Sequence, residues 1–342
     1  MQYLPFHVIL FLVASVHLYC FQPSALLQDG AINVSLPAYN SDGRIHWELH
    51  ASKVDPIATN EYRATNPSLC ILQDNKPETI AKSSEGFFNL QKHLAHGEST
   101  LSVYGRGFEA AGNAWTFEGS NIAGGTRLSC SNDAKVAFEY ELNHHLASNP
   151  VNVSKKYSKS QITPKSFSSP YPKDAASDFP TVAWAKKFDL FDQGLGNYKF
   201  ILVGDVLIKM TAREGNQTQA EKTSISCHRL VINLNNEDGN TTKGKFGVIE
   251  KLYAQGSVIL KQPARICRSE ELFWNHDNGE FLLEGNASFM DSQWGKAEGE
   301  KIILRKEDGR AEVVGGESGR SKLSISDLVL PPINFPKVGT SN

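Results

Sequence analysis

Apolar and polar residues alternate in a repeated unit between Phe246 and Val314. In each unit an alternating stretch reaches a glycine and a second alternating stretch follows; the units are Leu252–Leu260, Glu280–Ala287 and Ala297–Leu304. Because successive side chains of a strand point to opposite faces, each unit predicts two short strands that share one apolar face. The glycine between them marks a bend or a close approach of the backbone. The repeat therefore predicts a layered β-structure.

Turn sequences separate these units. Asp277–Gly279 and Glu307–Gly309 each end in a glycine, the residue that most readily takes the positive φ of a hairpin turn. The strand–glycine–strand unit is also present upstream, where Phe200–Met210 predicts a strand, a Gly-Asp turn or bulge, and a second strand. In Ser226–Leu234 the alternation predicts one face formed by His228, Leu230, Ile232 and Leu234.

The first part of the chain carries the same strand signals. Gly43–Ala51 predicts a half-buried strand with Ile45, Trp47, Leu49 and Ala51 on its apolar face. Two further predicted strands, Leu101–Gly105 and Trp115–Gly119, each end at a glycine. The clearest alternation is in Lys135–Leu142, where the predicted apolar face is Val136, Phe138, Tyr140 and Leu142.

Composition divides the chain into two parts. A chain of 342 residues has the length of about two domains. Residues 143–180 are rich in Ser, Pro, Lys and Asn, and such a segment reads as a solvated linker. We therefore expect β-domains at 31–142 and 181–330, followed by a tail at 331–342. The formal net charge of −2 gives no electrostatic reason to expect a nucleic-acid partner.

The amino terminus contains one long apolar run, from Tyr3 to Phe21. Its length and position predict a secretory signal peptide within residues 1–25. The alternative is an uncleaved membrane anchor, because the run just reaches the ~17 residues that a membrane helix needs. Either interpretation predicts that the chain is exported.

Four cysteines follow the leader: Cys70, Cys130, Cys227 and Cys267. None lies in a C-x-x-C motif, so the sequence gives little support for metal or thioredoxin-type chemistry. In an oxidising compartment Cys70 could pair with Cys130 and Cys227 with Cys267, although four cysteines allow three connectivities. Buried free thiols are the alternative.

Catalytic and metal-binding signals are weak. Glu270 and Glu271 are adjacent and would point to opposite faces of a strand, so we interpret them as surface charges. His46 and His50 share a strand face without a third ligand nearby, and we interpret that face as solvated. The sequence predicts no enzyme activity, metal or cofactor. Five N-x-S/T sequons are present, at Asn33, Asn152, Asn216, Asn240 and Asn286.

The glycine-centred units resemble those of a known family. Successive rungs of the LptA/OstA-type lipopolysaccharide-transport proteins are similar to Leu252-x-Ala254-x-Gly256-x-Val258, Leu283-x-Gly285-x-Ala287, Gly299-x-x-Ile302-x-Leu304 and Gly309-Arg310-Ala311-x-Val313. The spacing Gly43-x-x-x-Trp47-x-Leu49-x-Ala51 resembles the opening strand of the related LptC-type proteins. The resemblance implies two tandem β-jellyroll (β-taco) domains, LptC-like and then LptA-like.

This resemblance also implies a function and partners. Proteins of this family carry lipopolysaccharide acyl chains in an apolar groove across the periplasm of Gram-negative bacteria, and their edge strands pair with those of neighbouring jellyrolls. The groove residues implied here are Val206, Ile208, Met210, Leu230, Ile232, Leu234, Val258, Leu260, Phe281, Leu283, Ile302 and Leu304.

Two other interpretations remain open at this point. The same inward residues would form an ordinary core if the two layers closed on each other. A closed core would favour a β-rich envelope scaffold or adhesin that binds proteins through its edges. A cleft with two carboxylates about 5 to 9 Å apart would instead favour a jellyroll glycosidase.

Overall fold

A computed structural model describes residues 30–39, 42–73, 76–119, 125–139, 181–194, 196–211, 222–235, 248–262, 265–275, 279–291, 295–305, 311–315 and 322–324. The regular secondary structure of these ranges consists of strands, which form one antiparallel 20-stranded sheet. The predicted all-β fold is confirmed. The predicted leader, the linker and the tail lie outside the described residues, as do Asn152, Asn216 and Asn240.

Ten strands precede the predicted linker. They are β1 (Ala31–Tyr39), β2 (Ile45–Ala58), β3 (Glu61–Thr65), β4 (Ser68–Gln73), β5 (Lys76–Ser83), β6 (Glu85–Asn89), β7 (Leu94–Gly97), β8 (Leu101–Gly105), β9 (Phe108–Glu118) and β10 (Thr126–Phe138).

Ten more strands follow it. They are β11 (Thr181–Ala185), β12 (Lys187–Asp192), β13 (Tyr198–Thr211), β14 (Lys222–Asn235), β15 (Val248–Lys261), β16 (Arg265–Asn275), β17 (Glu280–Asp291), β18 (Gly295–Arg305), β19 (Ala311–Val314) and β20 (Lys322–Ser324).

Three long strands of the second half, β13, β15 and β17, each have a bulge in the middle. In β13 the pairing with β14 shifts between Val203 and Val206, where Gly204 has a φ of +85° and Asp205 a φ of +50°. Two residues of β13 thus face one residue of β14, which is the geometry of a β-bulge. The bulge is one of the two alternatives that the sequence predicted for the Gly-Asp pair. The same kind of bulge is present at Gly256 in β15 and at Gly285 in β17.

These bulges align across paired strands and form a crease in the sheet. The crease runs through Gly204 and Asp205, His228, Gly256 and Ser257, Glu270, and Gly285 and Asn286. The sheet folds along it into two layers. Layer 1 contains β3, β6, β7, β12 and β19, layer 2 contains β4, β5, β8, β11 and β20, and the long strands contribute to both. The side opposite the crease, where the long strands begin and end, is here called the mouth.

The crease explains one wrong prediction. In β14 the inward residues Thr223, Ile225 and Cys227 are followed by the next inward residue only at Leu230, because two successive residues face outward at the bend. His228 is therefore exposed rather than on the face of Leu230. The other predicted inward residues of this strand are buried as expected.

The two halves of the chain meet within the sheet. Strand β10 pairs with β12 through Thr126–Cys130 and with β11 through Ala134–Phe138, and both partners pair with β13. Apart from Ala137 and Val182, the buried apolar residues of both halves belong to one continuous core between the layers. The division into two domains stays a prediction.

Candidate functional site

The space between the two layers is the candidate site, because it holds the residues that the sequence places in a groove. Every predicted groove residue except Leu304 is at most 5% exposed. Leu304 is half-buried and packs against the same core. The structure thus brings the predicted residues together on one inner face, and in this conformation that face is a closed core.

The first half contains a small apolar cavity. Its volume is about 10 Å³, close to the space that one water molecule needs. Leu49, Leu69 and Leu101 of layer 2 face Phe88, Trp115 and Leu128 across it. The indole nitrogen of Trp115 donates a hydrogen bond to the Ser83 hydroxyl at 3.2 Å. Apolar interior surface is therefore present in the first half as well as in the second.

Four aromatic rings fill the interior where the two halves join. Phe108 begins β9 and Phe138 ends β10, both in layer 2, whereas Tyr198 and Phe200 lie at the start of β13 in layer 1. The ring of Phe108 meets Tyr198 edge to face at 5.0 Å and Phe200 at 4.9 Å. Phe138 meets Phe200 in the same way at 5.3 Å. All four rings are at most 1% exposed.

A hydrogen bond joins the layers beside these rings. The hydroxyl oxygens of Thr79 in β5 and Tyr198 in β13 lie 3.0 Å apart, and both side chains are buried. Burial raises the pKa of Tyr198 well above its usual range, so the hydroxyl stays neutral and can donate. We call Thr79, Phe108, Phe138, Tyr198 and Phe200 the clasp. The sequence did not predict that these five residues would come together. It predicted only that Phe138 lies on the apolar face of its strand.

The interior is more open at its two ends. At the amino-terminal end, β1 contributes the half-buried residues Val34, Leu36 and Ala38. At the other end, Leu304 and Val313 are likewise half-buried against the core. Among the described residues, β1 pairs only with β2, and β19 and β20 pair only with β18. Apolar interior and unpaired strand edges therefore coincide at both ends.

Buried carboxylates lie at the mouth. Asp192 ends β12 and accepts a hydrogen bond from the Gly194 amide at 2.9 Å; burial raises its pKa, and that hydrogen bond opposes the rise. Asp291 ends β17 and pairs with Arg265 at 3.2 Å, while the guanidinium of Arg265 lies 4.9 Å from the centre of the Phe289 ring. These groups mark the polar boundary of an otherwise apolar interior.

The four cysteines are free thiols in the structure. Cys227 lies in β14 and Cys267 in β16, with β15 between them. Two strand spacings separate the pair by about 10 Å, beyond the reach of a disulfide. Cys70 lies in β4 of layer 2, whereas Cys130 lies in the part of β10 that pairs with β12 of layer 1, and β5, β8 and β9 come between β4 and β10 in the sheet. The paired arrangement considered from the sequence is therefore not formed.

The remaining candidate residues lie outside the interior. Glu270 is exposed and accepts a hydrogen bond from Asn286 at 3.3 Å, and the half-buried Glu271 accepts one from Gln255 at 3.2 Å. His50 is exposed beside Glu48, at 3.2 Å. Within the described ranges, no group of three His, Cys, Asp or Glu residues could hold a metal ion.

Comparison with known proteins does not assign the chain to a family. No protein-family model matches it, and no curated protein is significantly similar to it. Within the part of the chain that the structure describes, no helix has the length and apolar character needed to cross a membrane.

Proposed function

We propose that this protein is a non-catalytic carrier of the cell envelope that holds the acyl chains of lipopolysaccharide, or of a related glycolipid, between its two layers. One observation carries the proposal: a single apolar interior runs through both halves and reaches half-exposed residues at both ends. A conduit needs an interior of this kind. The resemblance of the glycine-centred units to the LptA/OstA type agrees with it.

The free-energy cost of exposing acyl chains to water explains why a lipid carrier needs an apolar interior. Exposing one methylene group to water costs about 0.8 kcal/mol, so a molecule with several long acyl chains cannot cross an aqueous compartment uncovered. Inward residues such as Ile232 and Leu260 offer an apolar surface at every strand of the second half. Because this interior is closed, the layers must separate for an acyl chain to enter.

The free edges supply a route for extension. Ile32 and Tyr39 on β1 are 76% and 60% exposed, and Val314 on β19 is 40% exposed. Unpaired strands with exposed apolar residues readily pair with another chain. We propose that neighbouring jellyroll proteins add to these edges in the periplasm of a Gram-negative bacterium, with the amino-terminal run directing export or attaching the chain to the inner membrane.

One observation favours a second candidate. The interior is filled by large side chains, including Phe108, Phe200 and Trp274, each at most 1% exposed. A filled core is what a structural scaffold or adhesin requires, since such a protein binds partners through its edges and needs no lipid. This second candidate shares the edge pairing and differs only in the interior.

Photocrosslinking separates the two candidates. A photoreactive residue replaces Ile232 or Leu260 inside the interior, and Arg229, half-buried on the opposite face of β14, is the matched control. With purified lipopolysaccharide, we expect adducts at Ile232 and Leu260 and none at Arg229. If the protein is folded and no adducts form at the inward positions, lipid carriage is contradicted and the scaffold or adhesin remains as the candidate function.

A further inference from the structure

The clasp lies across the mouth at the junction of the two halves. Phe108 follows directly on the turn between β8 and β9, Phe138 is the last residue of β10, and Tyr198 is the first residue of β13. Strand ends of both layers therefore meet at this point. The Thr79–Tyr198 hydrogen bond connects a strand of the first half to a strand of the second.

A glycolipid could not slide past this point without disturbing it. Its acyl chains would occupy the space between the layers, while its sugar headgroup has to remain in water. The headgroup must therefore travel along the mouth. At the junction the mouth is crossed by three edge-to-face ring contacts and one buried hydrogen bond.

From this geometry we propose that the clasp is a gate that divides the interior into two lipid compartments, one in each half, and opens when a lipid passes between them. The inference rests on the proposed function. The first compartment is the interior around Leu128 and Trp115, where the small cavity lies, and the second is the interior around Ile232.

The clasp can have a closed and an open state, because its contacts connect side chains of separate strands and are not part of the strand pairing. Opening separates Tyr198 and Phe200 of layer 1 from Thr79, Phe108 and Phe138 of layer 2, and it leaves the pairing of β13 with β12 and β14 intact. The two hydroxyl groups can then bind water. Removal of the hydrogen bond therefore shifts the population toward the open state without unfolding the sheet.

The test measures the distance between the layers beside the clasp. Spin labels carried by noncanonical residues replace Glu139, exposed after the end of β10, and Lys199, on the outer face of β13. The full chain is measured by pulsed EPR with and without purified lipopolysaccharide. The clasp variants are Tyr198→Phe and Thr79→Val, and the control is Tyr253→Phe, which removes a tyrosine hydroxyl from the outer face of β15.

We expect one short distance in the lipid-free protein and a second, longer distance when lipopolysaccharide is added. Loss of a hydrogen bond of ordinary strength should raise the open-to-closed ratio about fivefold in each clasp variant and leave the control unchanged. Tyr198→Phe removes only the hydroxyl oxygen and Thr79→Val keeps the shape of the side chain, and thermal unfolding confirms that both variants fold.

Photocrosslinking in the same samples separates failure of the gate from failure of the proposed function. Photoreactive residues at Leu128 and Ile232 report lipid in the first and second halves. Adducts in both halves with an unchanged single distance would overturn the gate and leave lipid carriage standing. Absence of adducts at both positions in every variant would overturn the proposed function, and the gate with it.

Discussion

The indole ring of Trp115 occupies the space in which a side chain at Gly97 would stand. A Cβ atom at Gly97 would lie 2.6 Å from Trp115 Nε1 and 2.8 Å from the backbone oxygen of Glu85. Gly86, on the neighbouring strand β6, leaves the same kind of room, since a Cβ there would lie 2.8 Å from the ring. The two glycines therefore allow the largest type of side chain to be buried in the first half.

Replacement of Gly97 by alanine should destabilise the protein through this contact. We expect Gly97→Ala to lower the free energy of unfolding by about 1–3 kcal/mol, because a rigid ring and a backbone oxygen cannot both move away. Denaturant unfolding measures the change. Trp115→Phe is the matched test, since a smaller ring leaves room for the new methyl group. Purely additive effects in the double variant would contradict the contact.

The crease gives a second prediction, at Ser257. This residue is exposed and has a φ of +50°, a conformation that β-branched side chains strongly disfavour. Ser257→Val should therefore lower the free energy of unfolding by about 1–2 kcal/mol. The control is Ser226→Val, in the extended part of β14, where valine is a favourable strand residue. Equal effects of the two substitutions would show that the bulge is not as described.

The layered fold and its inward positions could be predicted because strand alternation is a local property. Val206, Ile208 and Met210 alternate in the sequence and point inward in the structure. The glycines at the centres of the first two units, Gly256 and Gly285, could also be interpreted locally, since few other residues adopt their positive φ. His228 was placed on the wrong face because the bulge that reorients it belongs to neighbouring strands.

Closure of the interior could not be predicted from the same pattern. A strand with inward leucines shows the same alternation of apolar and polar residues whether or not the opposite layer contacts those leucines. The separation of the layers depends on contacts between distant residues, such as Phe108 with Phe200 and Thr79 with Tyr198. The pairing of β10 with β11 and β12 likewise joins strands that a long segment separates in the sequence.

Thiol reactivity should follow burial. Burial raises the pKa of the half-buried Cys70, and it raises the pKa of the buried Cys130, Cys227 and Cys267 to about 12. Because the thiolate is the reactive form, we expect Cys70 to be alkylated first among these four in the folded protein near pH 8. Peptide mass spectrometry after timed alkylation identifies each site, and all four should react in denaturant. Early alkylation of Cys267 would contradict its closed environment.

The same thiols should make the protein less stable at high pH. Burial raises the pKa of Cys130, Cys227 and Cys267 from 9.0 to about 12 in the folded state. Between these two values the unfolded chain releases the protons that the folded chain keeps, so the free energy of unfolding falls as pH rises. Below about pH 9 this contribution is constant. Denaturant unfolding from pH 8 to 11 measures the slope, which should be shallower when all three residues are changed to alanine.

The edges give the last prediction. If copies of the chain pair through their free edges, a charge on β1 should weaken their association, because a lysine on an edge strand opposes the addition of another strand. Ile32 is 76% exposed on β1, and Met290, 45% exposed on the interior strand β17, provides the matched control. We expect Ile32→Lys to reduce self-association in sedimentation velocity and Met290→Lys to leave it unchanged. Both substitutions are at the surface, so each should alter the free energy of unfolding by no more than about 0.5 kcal/mol. A uniform decrease in both variants would assign the effect to net charge rather than to strand pairing at β1.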